Sequence, residues 1–173
     1  MKTNAIFLSL ALMVMGVLST QAQTLKIGYT NTDYILSKLP EAKQIESDLK
    51  THRDQLGAQL RSKQEEFERK YQSFVDGQAT MTDVVRTDVQ TELQALQDSI
   101  QKFASEAEKS MQNKQIQLLA PVYEKIDGGI KEVAQEQGFS HVFAHGVLLF
   151  ATKDNDISDL VLAKLGVETS PTN

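Results

Sequence analysis

The chain has 173 residues, no cysteine, no tryptophan, 6% aromatic side chains and a formal net charge of −5. Without cysteine there are no disulfides, no cysteine-based catalysis and no thiolate metal site, so an exported form must draw its stability from packing or oligomerisation. The acidic balance gives no footing for nucleic acid as a partner.

Met1-Lys2-Thr3-Asn4 carries one positive charge and precedes an apolar run from Ala5 to Leu18, which turns polar at Ser19. This is the three-part plan of a secretory signal peptide. Thr20 and Ala22 suit a cut before Gln23, and the run is shorter than the roughly 20 apolar residues that a membrane span needs. The expected signal is therefore 1–22. The mature chain would carry 17 basic and 23 acidic residues, a net charge of −6, because Lys2 is the only charge removed.

Leu25 to Thr30 alternates apolar and polar residues and reads as a strand, followed by a turn with about one helical turn in it up to Leu39. Pro40 stands where proline is tolerated, at the start of a helix. From Ile45 the apolar or bulky positions recur in steps of three and four, through Leu49, His52, Leu56, Leu60, Phe67, Tyr71 and Phe74, with Lys63 as a polar exception. That is one stripe on a long helix, Glu41 to Asp76, of about 54 Å. Gly77 is the natural turn residue, and Thr80 to Asp83 supplies a helix start. A second stripe runs from Val85 through Leu93, Leu96, Ile100, Phe103 and Ala107 to Met111.

Two striped helices joined by a short turn should close into an antiparallel coiled-coil hairpin, because each stripe alone would face water. Reflection about Ala79 sets Glu41 opposite Gln117. Pro121 then marks the passage from arm to body, with a kink expected. Gly128-Gly129 reads as a close packing contact or a local break. Gly138 ends the helix, Phe139–Phe143 and Val147–Ala151 read as two strands, and Ile157 to Leu165 is a short amphipathic helix stopping at Gly166.

The resulting plan is α+β and mainly α: signal 1–22, body 23–40, helical hairpin arm 41–117, body 118–168 and a disordered tail 169–173. One protomer offers few, short strands with open edges, so copies joined edge to edge would close a barrel. Residues expected to build that body and its oligomer are Ile27, Tyr29, Val122, Ile126, Ile130, Val142, Leu148 and Phe150.

Ile27-Gly28-Tyr29-Thr30-Asn31, Tyr34-Ile35-Leu36 and Pro40-Glu41, together with Leu118-Leu119-Ala120-Pro121-Val122, Val147 to Phe150 and Asp156 to Val161, resemble the Skp/OmpH family of periplasmic chaperones. The resemblance implies a homotrimer with a β-barrel body and three arms around a cavity that holds unfolded outer-membrane proteins without ATP. It implies a periplasmic location, no cofactor and no enzymatic activity. The best-known members have basic arms, whereas 41–117 here contains 11 basic and 14 acidic residues. No lipopolysaccharide site is therefore carried over, and membrane contact has no support in the residues. The alternative reading is a coiled-coil spacer or adaptor of the cell envelope.

Candidate client contacts are Val75, Met81 and Val84 near the tip, with Phe67, Tyr71 and Phe74 as larger ones. The same aromatics also follow the seam stripe, which is the structural alternative. His141 and His145 lack a third ligand with metal spacing. Asp154, Asp156 and Asp159 lack the glycine and terminal glutamate of a calcium loop and read as turn and cap residues. His52 reads as a polar seam residue. No phosphate loop, dinucleotide fingerprint or nucleophile elbow is present.

Overall fold

The computed structural model describes residues 25–168. The expected signal peptide and C-terminal tail lie outside the described residues. Strand β1 (Ile27–Thr30) leads into helix α1 (Thr32–Lys38), whose first turn is capped by Asn31 Oδ1 accepting from the Tyr34 amide at 3.0 Å. The helix is longer than the single turn expected. Leu39, restricted because proline follows it, is extended (φ −70°, ψ 139°), and this breaks α1 from α2 (Pro40–Gly77). Helix α3 (Asp83–Gln137) runs 55 residues without interruption through Pro121, Gly128 and Gly129. Gly138 ends it at φ 70°, where the Phe139 amide donates back to the Ala134 carbonyl at 2.8 Å. Strand β2 (His141–Ala144) and helix α4 (Ser158–Lys164) follow within the described residues.

Helices α2 and α3 form the antiparallel hairpin. Cross-seam pairs His52–Ser110 (2.9 Å), Lys63–Ser99 (3.2 Å) and Lys70–Glu92 (2.8 Å) share a midpoint at residue 81. The axis therefore lies two residues beyond the expected Ala79, and at the root Glu41 meets Lys125 rather than Gln117. The cause is the connection: Gly77 stays helical, and Gln78–Thr80 form a 3-10 turn before an extended Met81 and the cap at Thr82. Gly77 contributes room instead, since a Cβ there would stand 3.0 Å from Met81 Cε.

Strands β1 and β2 pair in parallel, Ile27 with His141 through Thr30 with Ala144. A parallel pair requires a crossover, and here the whole helical hairpin is that crossover. On its other side β1 bridges Asp156 through Tyr29. Val147–Ala151 is not a strand, contrary to expectation; its first residue closes a 3-10 turn and the rest is irregular. The Leu148 amide closes that turn on the His145 carbonyl at 3.1 Å, and the stretch pairs with neither β1 nor β2. Among the described residues the sheet is two-stranded.

The core gathers Ile35 and Leu39 of the α1 region, Ile45 of α2, Val122, Ile126 and Val133 of α3, and Ile157, Val161 and Leu162 around α4. Gly129 lets α4 approach α3: a Cβ there would meet Leu165 Cδ2 at 3.0 Å, whereas one at Gly128 would meet nothing. The start of α4 is tied to β1 by polar groups. Ser158 Oγ accepts from the Asn31 amide (2.8 Å) and donates to Asp156 Oδ1 (2.6 Å), and the Ile157 amide donates to the Tyr29 carbonyl (2.9 Å). Asp156 thus holds a turn, as its spacing suggested.

Candidate functional site

The seam of the arm selects among the stripe residues. Phe74 and Leu93 are buried near the tip and Ile45 near the root. Between them the seam is thinner: His52, Leu56, Leu60, Lys63 and Phe67 are only half-buried. His52 does occupy a polar seam position, facing Ser110. Lys63 folds its ammonium over Phe103 at 5.8 Å while reaching Ser99.

From Phe67 the apolar pattern splits into two ridges. Steps of three and four lead inward through Lys70 to Phe74, whereas steps of four lead outward through Tyr71 to Val75. Residues four apart stand on one helix face. The rings of Phe67 and Tyr71 accordingly stack, centroids 6.0 Å apart and planes inclined by 11°, and Tyr71 and Val75 face solvent. Across the tip Val84 and Val85 are exposed, and Met81 is half-buried against Gly77. Of the six expected client contacts, Phe74 is thus a seam residue whose ring is not available at the surface. Tyr71, Val75 and Val84 are open to solvent. Val85 and Ile116 are also exposed, although Val85 reads from sequence as a stripe residue.

The expected body residues divide in the same way. Tyr29, Val122 and Ile126 are buried within one protomer, and Ile130, Val142 and Leu148 are half-buried. Ile27 of β1, Phe143 of β2 and Val147, Leu149 and Phe150 in the stretch that follows β2 are exposed. Phe150 is 84% exposed and Leu149 fully so, unusual for large apolar side chains carried by a body rather than an arm.

Electrostatics in the body is structural. The Lys125 ammonium holds the Glu41 carboxyl below its ordinary value. Hydrogen bonding to Asp159 raises the Tyr34 phenol, and burial followed by the charge of Asp156 raises Tyr29. Lys164 is raised by the hydrogen bonds it donates to Glu136 and Glu132, which clamp α4 to α3. His141 stacks on Phe143 and His145 lies against Tyr29. Among the described residues no three His, Asp or Glu side chains gather as a metal site, and no helix is long and apolar enough to cross a membrane.

These features define a class: a small α/β body projecting a long helical hairpin, with apolar side chains left open on both. Residues 26–165 match the family described as outer membrane protein (OmpH-like), and the chain belongs to that family. It is 22% identical over 147 residues to chaperone protein Skp of Yersinia enterocolitica, covering 85% of this chain and 90% of that one. Its fold is similar, with a TM-score of 0.72 at 19% identity, to that of an OmpH-like protein of Caulobacter crescentus proposed to be an outer membrane chaperone. That match covers 86% of this chain and 89% of the other. The family read from the two ends of the sequence is borne out.

Proposed function

We propose that this protein is an ATP-independent periplasmic holdase: a homotrimer whose bodies join through their sheets and whose three arms surround a cavity that shelters unfolded outer-membrane proteins from aggregation. Membership of the OmpH-like family, with a chaperone among its relatives, supports a chaperone role. The observation that carries the holdase reading is the exposure of Tyr71, Val75, Val84, Val85 and Ile116 along an arm whose seam does not use them. Dispersed weak contacts of this kind, multiplied over several arms, hold a chain without demanding one sequence. The trimer is supported by the outer edge of β2, which pairs with no strand among the described residues, and by the exposed Ile27, Phe143, Leu149 and Phe150 of the body. Burying each such side chain is worth about 1.5–3 kcal/mol.

The test is dilution of a urea-unfolded outer-membrane β-barrel protein into buffer with stoichiometric amounts of this protein and no nucleotide. Suppressed light scattering is expected. Absence of protection across several such clients overturns the holdase reading and leaves the spacer.

A further inference from the structure

Charge is unevenly distributed along the arm. Residues 64–100, the distal half, hold eight acidic and three basic side chains, whereas 41–63 with 101–117 hold six acidic and eight basic. All eight distal acids are exposed. Two of the three distal cations are already engaged, Lys70 with Glu92 and Arg86 with Asp83. Only Arg69 is left against six acids that have no basic partner within 4.0 Å among the described residues. The apolar ridge Phe67–Tyr71–Val75 lies within this field, and one residue further on along the helix runs a parallel row containing Glu68, Gln72 and Asp76. Across the tip, Asp88 stands one turn beyond Val84.

The ridge also has a period. Its rungs are about 6 Å apart, four residues at 1.5 Å each, while alternate side chains of an extended strand are about 6.6–6.8 Å apart. An extended segment laid along α2 would therefore present successive same-side residues to Phe67, Tyr71 and Val75 with little mismatch over three rungs. Its intervening side chains would point away from the helix, and cationic ones as long as lysine reach back past the strand toward the acidic row beside the ridge.

We propose that the distal half of the arm is a charge-selective docking surface for extended, unfolded polypeptide in which apolar residues alternate with cationic ones. This deepens the holdase reading and rests on it, since it names the kind of client segment the arm prefers. The complementarity is between a net-negative, exposed surface and a cationic strand. An anionic segment or an anionic lipid surface would meet repulsion at the same place. A local field of this sort concentrates oppositely charged partners and is weakened by salt.

The experiment measures binding of fluorescent peptides to the purified full-length mature protein. In the three peptides, valine alternates with lysine, with glutamine or with glutamate. The lysine peptide is expected to bind about tenfold or more tighter than the glutamate peptide at low salt. The difference should collapse near about 1 M NaCl, where the Debye length is about 3 Å. Glu68→Gln, Asp76→Asn and Asp88→Asn together should remove most of the preference, with helical content and melting unchanged because all three side chains are exposed. Tyr71→Ser with Val75→Ser should weaken all three peptides alike. Equal binding of the peptides overturns charge selection, and an undiminished lysine preference in the triple variant overturns its placement on the distal arm. Self-association abolished by Tyr71→Ser, or binding of phosphatidylglycerol vesicles abolished by it, overturns the proposal in favour of a second copy or a membrane. Loss of peptide binding with intact protection against aggregation sinks only this inference; intact peptide selectivity without protection sinks only the holdase reading.

Discussion

Gly129 and Leu165 bring α3 and α4 so close that a Cβ at position 129 would stand 3.0 Å from Leu165 Cδ2 and 3.3 Å from Val161 Cγ1. Gly129→Ala should therefore overpack the joint and destabilise the protein by about 1–3 kcal/mol. Gly128→Ala meets open space and should stabilise by about 0.5–1 kcal/mol through helix propensity. Urea unfolding of both variants at one protein concentration checks the contrast, and equal effects would mean that α4 does not pack as described.

The core and the arm surface should respond differently to truncation. Ile126→Ala opens a cavity among side chains from α1, α2 and α4 and should cost about 2–5 kcal/mol. Tyr71→Ser removes a partly exposed ring whose main partner is Phe67 and should cost only about 0.5–1.5 kcal/mol. The same denaturation experiment reads both.

At the distal seam Phe74 packs beside Met81 and Val89 in a groove of the hairpin. Phe74→Ala should loosen the tip by about 3 kcal/mol. Hydrogen exchange should then quicken on both sides of the turn while the body stays protected. Exchange that rises uniformly over the chain would show that arm and body are one cooperative unit.

The apolar surface of the body separates assembly from folding. Phe150 is exposed in the protomer, so with the proposed trimer Phe150→Asp should leave far-ultraviolet circular dichroism intact while lowering the sedimenting mass from that of a trimer toward that of a protomer. Val84→Ser on the arm should leave the mass unchanged. A Phe150→Asp protein of unaltered mass would place the subunit interface elsewhere.

Glu41 links the first turn of α2 to Lys125, and its carboxyl is held below the ordinary 4.5, first by that hydrogen bond. A depressed carboxyl stabilises the fold above its unfolded value and ceases to do so as pH falls through its folded value. Wild type should thus exceed Glu41→Gln in stability at pH 7, and the gap should close as pH falls below 4.5. With both partners more than a third exposed, the gap at pH 7 should be about 0.2–1 kcal/mol. Parallel pH-dependent melts measure it.

The ends of the long helices were legible because their causes are local. Pro40 can start a helix and Gly138 accepts the left-handed conformation that closes α3, whereas the start of α3, read at Thr80, lies two residues later at Thr82, whose hydroxyl accepts from the Val85 amide. The stripes in steps of three and four announced a hairpin for the same reason, as did the family signature at the two ends. The cap at Thr82 nevertheless displaced the axis by two residues, because spacing alone does not say how many residues an irregular turn absorbs.

Other features depended on groups distant in the chain. Val147–Ala151 has the composition of a strand, but strand formation needs a partner strand; β2 pairs with β1 instead, and the 3-10 turn His145–Val147 takes the first residue of the stretch. Gly128 and Gly129 are equivalent in sequence, yet only the arrival of α4 made one of them a packing contact. The division between Phe74 and Tyr71 is of the same kind: both continue the stripe from Phe67, and the direction from which α3 approaches put one ring in the seam and left the other in water. The amino-acid sequence by itself determined the helical hairpin and its acidic charge, since these follow from residues within a few turns of one another. The tertiary structure decided which apolar side chains were left over for partners, because burial depends on what packs against a face and not on the face alone.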